Sequence, residues 1–254
     1  MTDATLRTAS PRAPFEPDHA WDRNFFLLMI VLIWIGIANG FGFEIVRHIQ
    51  KHEAAYPLIV HVHAVAFVGW LVVLTTQILL IRTHRIAVHM ALGKAAMGLA
   101  AIMVVLGPAT AIYMQRVHVG TPASDPAFLA IQLSDILAFA VLIAAAFAWR
   151  RTPSAHKRLI LIATLYITDA GFARWLGDGI HGLFGDGYWS FVASAYLGND
   201  VLLLGMGVYD LATRRRLHPA WLAGAGWTFA VQLSAGYLYL APWWKPIASH
   251  LIGH

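Results

Sequence analysis

The chain contains no cysteine. That excludes disulfides, thiolate metal sites, iron–sulfur clusters and cysteine nucleophiles, and it leaves the redox compartment unread. Charge is scarce as well: 12% of residues are Asp, Glu, Lys or Arg, against about 25% in an ordinary soluble domain. No internal repeat and no low-complexity segment is visible, which tells against an inverted-repeat transporter. The formal charge of +5 could point to nucleic acid. The basic residues, however, stand in short clusters at the ends of apolar runs, as orientation signals do, so nucleic acid is discarded as a partner.

What the chain has instead is apolar surface: 59% of its 254 residues are hydrophobic and its mean hydropathy is +0.63. A membrane span needs about twenty apolar residues. Such runs occur at 25–43, 57–82, 94–115, 126–149, 158–180, 189–212 and 219–242. The fold class predicted is all-α: a polytopic bundle of seven transmembrane helices over 25–244, with the lipid bilayer as its first partner. Residues 1–24, with Pro11, Pro14 and Pro17 and no apolar core, read as a disordered cytoplasmic tail and not as a signal peptide. Residues 245–254 read as a short outer tail.

Orientation follows from the loops. Arg82, Arg85 and Lys94 join the second and third runs; Arg150, Arg151, Lys157 and Arg158 the fourth and fifth; Arg214, Arg215 and Arg216 the sixth and seventh. By the positive-inside rule these face the cytoplasm, which puts the N-terminus inside and the C-terminus outside. Pro57, Pro126 and Pro219 open runs two, four and seven, where a missing amide donor is harmless. Pro108, beside Gly107 in the third run, should kink it.

Polar residues inside these spans are functional candidates by default, because each costs several kcal/mol unless paired or hydrated. In the fifth run, Asp169 lies near mid-depth, while Arg174, Asp178 and His181 share one helix face at i, i+4 and i+7. Asp169 points about 140° away from Arg174 at 100° per residue. The fourth run adds Gln132 and Asp135, and the sixth Asn199 and Asp200. Asp135, Asp169 and Asp200 have no basic partner nearby in sequence, so they are expected to be protonated, bonded to Tyr166, Asn199 or Gln132, or bound to a cation. Asp210 abuts Arg214 at i+4 and reads as structural, and Arg174 with Asp178 as an intrahelical ion pair is the bland alternative for that couple.

Thirteen histidines are the richest chemical hint, as ligands or proton relays. His63, Trp70, Gln77 and His84 recur every seven residues and form one stripe expected to face the bundle. His61 points about 200° from His63. The segment "HVHAVAFVGWLVVLTTQILLIRTHRIAVHMALGKAAMGLA", with "HKRLILIATL" and "RRRLHPA", resembles a group of uncharacterised multi-pass bacterial membrane proteins. There a span opening with His is followed by an Arg/His-rich turn ending His-x-x-Leu-Gly. The matching residues are His61 or His63, Gln77, His84, His89, Leu92 and Gly93. That resemblance implies a bacterial inner-membrane setting and no particular activity. A retinal-binding rhodopsin is excluded, since the last span has no lysine before Lys245.

Three functions remain open. The first is a membrane oxidoreductase or metal-dependent enzyme with zinc, iron or haem b in an outer polar cavity that also takes a small-molecule or ion ligand. His61, His63, Asp178 and His181 would bind metal; His63, His181 and Arg174 would hold a haem; Asp135, Asp169, Arg174 and Asp200 would be catalytic. The second is a proton-coupled transporter or proton pathway in which Asp135, Asp169, Asp200 and the His63–Gln77–His84 stripe titrate. The third is a receptor or assembly protein with a structural polar core. Oligomeric state is not legible.

Overall fold

The computed structural model describes residues 15–16, 18–52 and 54–253. These are helical, with no strand among them: α1 (Asp22–Gln50), α2 (Leu58–Arg82), α3 (Ile86–His118), α4 (Leu129–Ala148), α5 (Pro153–Ile167), α6 (Asp169–Phe184), α7 (Tyr188–Arg214), α8 (Pro219–Leu240) and α9 (Trp244–Leu251). A 3-10 turn, Pro126–Phe128, leads into α4. Prolines mark the starts: Pro57 caps α2, while Pro153 and Pro219 occupy the first positions of α5 and α8, where no amide donor is needed. Pro108 stands inside an unbroken α3.

Five segments are long and apolar enough to cross a membrane: α1, α2, α3, Pro126–Ala148 and α7. A sixth arises if α5 and α6, bent by 53°, are one broken span. The seventh run, α8, falls short of that hydropathy, because Thr228, Gln232, Ser234 and several glycines interrupt it. The fifth run is thus two helices and not the straight one expected, with Asp169 and Arg174 both on α6.

Side chains on α2 sort as its heptad stripe requires. Trp70 is buried at 2% exposure and its indole donates to Thr164 Oγ1 of α5 at 3.1 Å. Leu58, Val65, Val72 and Leu79, also seven apart, are 77, 74, 51 and 46% exposed. An apolar stripe turned outward is stable only against lipid or another apolar partner. His84 lies beyond the end of α2, at φ +58, so the stripe runs His63–Trp70–Gln77.

α5 is the central helix. Its residues from Leu161 to Tyr166 are all buried, and it packs against α4, α7 and α8. The core gathers Phe139 and Leu142 of α4, Leu161 and Ile162 of α5, Leu203 and Met206 of α7 and Trp221 of α8 around Trp70. α6 is held between α1 and α7. Gly36 and Gly40 of α1, a small-xxx-small pair, meet Phe172 and Gly171 of α6. A Cβ at Gly40 would lie 2.0 Å from the Gly171 carbonyl oxygen.

Of the supposed tail over 1–24, residues 1–14 and Pro17 lie outside the described residues. Asp22 already begins α1 and is buried, and Phe15 packs on the bundle. Most of the last ten residues form or follow the helix α9, Trp244–Leu251. Its Ala248 and Ile252 are buried with Ala111 and Leu129, the Trp244 indole donates to Ala127 O, and Arg116 Nε donates to Ile252 O.

Candidate functional site

The break between α5 and α6 creates the site. At Thr168 the hydroxyl donates back to the carbonyls of Thr164 and Leu165, each at 3.0 Å, and such back-bonding competes with helix continuation. Asp169 then opens α6, its Oδ1 accepting the Ala170 amide at 2.6 Å, so the carboxyl sits at a half-helix N-terminus. It is nonetheless 5% exposed.

Facing it is Asp135 of α4, whose carboxyl lies close to that of Asp169. Two ionised carboxylates side by side repel, and a proton shared between them would relieve that repulsion. Tyr196 of α7 donates its hydroxyl to Asp135 Oδ1 at 3.3 Å. Tyr166 of α5 lies beside it, ring centroids 5.9 Å apart.

One helical turn beyond Tyr196, Asp200 Oδ1 accepts from Gln232 Nε2 of α8 at 2.8 Å. Asn199 Nδ2 donates to Leu165 O. Between these groups is a cavity of about 10 Å³, lined by Tyr166, Tyr196, Asn199, Asp200, Thr228 and Gln232 with Ile162, Leu165 and Leu203. That is room for a single water-sized occupant.

The three acids read from the sequence thus lie in one region, while the other predicted residues do not join them. Arg174 is exposed, donates to Ala170 O at 2.9 Å and lies 4.7 Å over the Phe41 ring. No ion pair with Asp178 occurs among the described residues, and Asp178 is exposed. His181 is more than half exposed, 3.5 Å from Asp186 and 3.2 Å from Ser190 Oγ. His61 is exposed on α2, and His63 stacks on Phe67. α2 packs on α1 and α3, whereas α6 packs on α1 and α7, so His63 and His181 are not brought to a common centre. No group of three or more His, Asp or Glu side chains able to hold a metal ion occurs among the described residues. The metal ligand set expected from His61, His63, Asp178 and His181 is therefore not assembled among the described residues, and Arg174 stands over Phe41 instead. The reason is helix adjacency: seven-residue spacing fixes a face but not the neighbour it meets.

A second polar network, unforeseen, closes the end of the bundle where α1 begins. Arg158 of α5, 2% exposed, pairs with Asp210 of α7, its Nε donating to Oδ2 at 2.9 Å and its Nη2 to Oδ1. Asp210 is thus paired mainly across the bundle, with Arg214 at 4.0 Å. Asp22 receives Lys157 Nζ at 2.6 Å, Arg214 Nη2 at 2.8 Å and the Tyr209 hydroxyl at 2.6 Å. Phe15 lies over the guanidinium groups of Arg158, Arg214 and Arg216 at 5.0, 5.3 and 5.3 Å. A charged set this deep is stable because every member is paired.

His218 belongs to this end and caps α8. Its Nδ1 accepts the Ala220 amide at 2.9 Å and its Nε2 lies 3.2 Å from Ser154 Oγ, so the neutral Nε2–H tautomer fits. Burial first, and then the Arg158 charge, push its pKa down to about 4. A histidine depressed below its unfolded value of about 6.5 contributes stability above that pH and loses it as pH falls toward 4. We expect the Tm difference between wild type and His218→Gln to shrink over that window, read by thermal unfolding in detergent. A difference unchanged from neutral pH to pH 4 would count against this account.

The sequence reading missed Tyr196, although Tyr196 and Asp200 at i, i+4 give the signal. It missed Arg158 and Asp22 because their partners are far away in the chain. No protein-family model, curated protein or solved structure matches this chain.

Proposed function

We propose that this chain is a proton-translocating protein of the bacterial inner membrane, and that the Asp135–Asp169 carboxyl pair is its proton site. The observation that carries the reading is the placing of two buried carboxyls, Asp169 and the Tyr196-bonded Asp135, together at the break of a bent span. The seven spans would be α1 to α4, α5 with α6, α7 and α8. Their N-terminus would face the cytoplasm, as the Arg/Lys-rich loops require.

In this reading the shared proton is held between α4 and α6 with Tyr196 bonded to Asp135 Oδ1. Broken half-helices place polar ends at mid-membrane sites in carriers, and here Asp169 occupies such an end. Tyr166, Tyr196 and Asp200 extend the polar path past the water-sized cavity toward α8. A proton moves by exchanging hydrogen-bond partners along that path.

The test is acidification of proteoliposomes carrying an internal pH dye under an imposed pH gradient, with potassium and valinomycin clamping the potential. Wild type should acidify faster than empty liposomes, and Asp169→Asn, which keeps a donor toward Asp135, should fall to the leak rate. Wild-type flux equal to that of empty liposomes, or full flux in Asp169→Asn, overturns the proposal.

A further inference from the structure

The geometry points to a binding site for one dehydrated alkali cation in the cavity between α5, α7 and α8, formed by oxygens of Tyr166, Asn199, Asp200 and Thr228. Three of these residues are almost fully buried, at 2, 4 and 3% exposure for Tyr166, Asn199 and Thr228. Their Tyr166 hydroxyl, Asn199 Oδ1 and Thr228 Oγ1 find no hydrogen-bond partner among the described residues. Buried polar atoms cost about 1–3 kcal/mol each when left unpaired, so three around one cavity call for an occupant.

The occupant's chemistry follows from the donors. Asn199 donates its Nδ2 to Leu165 O, which fixes the amide so that the oxygen is the atom left over. Gln232 donates to Asp200 Oδ1 and leaves Oδ2 available. The set is oxygen throughout, which selects hard cations over zinc, copper or iron. It carries one carboxylate, which balances one positive charge; a divalent ion would leave uncompensated charge inside an apolar core. The volume of about 10 Å³ admits one water-sized body and so excludes a hydrated ion or an organic ammonium. The C-terminal end of α5, whose Leu165 lines the cavity, adds the negative end of a half-helix, the end that coordinates cations in broken-helix carriers.

This site goes beyond the proton reading and stands independently, because its test is binding and not flux. Thermal unfolding of the purified full chain in detergent would be followed in choline chloride with increasing NaCl or KCl at constant ionic strength. A rise in Tm with NaCl or KCl and none with choline is expected, and comparing the two salts assigns the ion. Thr228→Val, which keeps shape and removes one oxygen, should shift the half-saturating concentration upward at least tenfold, and Asp200→Asn should abolish the response. A Tm that does not distinguish choline from either metal salt overturns the proposal, as does an undiminished response in Thr228→Val. If Asp200→Asn does not fold, Thr228→Val alone decides.

Discussion

Arg158→Ala is expected to yield no folded protein. Arg158 and Asp210 are 2 and 1% exposed, and truncating the arginine leaves the aspartate charge buried with Arg214 at 4.0 Å and the His218 amide at 3.4 Å in place of a forked partner. Breaking a buried pair on one side costs about 3–5 kcal/mol, a large share of the stability of any domain of about 5–15 kcal/mol. The loss extends further here. Arg158 also donates to Ser154 O at 2.7 Å and lies beneath Phe15, so α5, α7 and the segment before α1 lose a common anchor. Size-exclusion chromatography of a fluorescent fusion in mild detergent reads the outcome. Arg158→Met with Asp210→Leu should recover a monodisperse peak, since removing both charges removes the desolvation problem. A wild-type Tm for Arg158→Ala would show the pair to be dispensable.

The parts of this architecture that were readable in the sequence are those set by local rules. Helix starts follow from Pro57, Pro126 and Pro219, because proline's missing donor is harmless only there. The inward face of α2 follows from His63, Trp70 and Gln77, because seven residues nearly complete two turns. The break at Thr168 was not readable from hydrophobicity, since the apolar run continues through it without proline. Its signal is chemical: a Thr–Asp pair whose side chains take the backbone partners that a continuous helix would use.

What a periodic pattern leaves open is which face meets which. Asp210 has an arginine at i+4, yet its main partner is Arg158, fifty-two residues earlier. Histidines on α2 and α6 pointed to a common ligand set, yet His63 stacks on Phe67 while His181 meets Ser190 and Asp186. The acids were identified as candidates on cost alone: a carboxyl in a span needs a reason. Their actual partners, Tyr196 and Gln232, come from α7 and α8, and only packing reveals them.

Packing is also what gives Gly40 the closest backbone approach of any glycine, and a pair of glycine substitutions two positions apart on α1 should have opposite effects. Gly42 has nothing within 4 Å of where a Cβ would stand. Gly42→Ala therefore gains helix propensity of about 1 kcal/mol and meets no obstacle. At Gly40 the same methyl would lie 2.0 Å from the Gly171 oxygen, and the obstacle is backbone, which no rotamer change relieves. Overpacking of this kind costs about 1–3 kcal/mol for an added methyl, so Gly40→Ala should lower the Tm while Gly42→Ala holds or raises it, and Gly40→Val should not fold. Gly171 is two residues from Asp169, so a shift of α6 against α1 disturbs the placing of that carboxyl beside Asp135. Proteoliposome flux in Gly40→Ala should then fall along with its Tm, while Gly42→Ala retains both. A Tm for Gly40→Ala equal to that of Gly42→Ala would mean that α1 and α6 do not make this contact, and the carboxyl pair would lose the clamp that positions it.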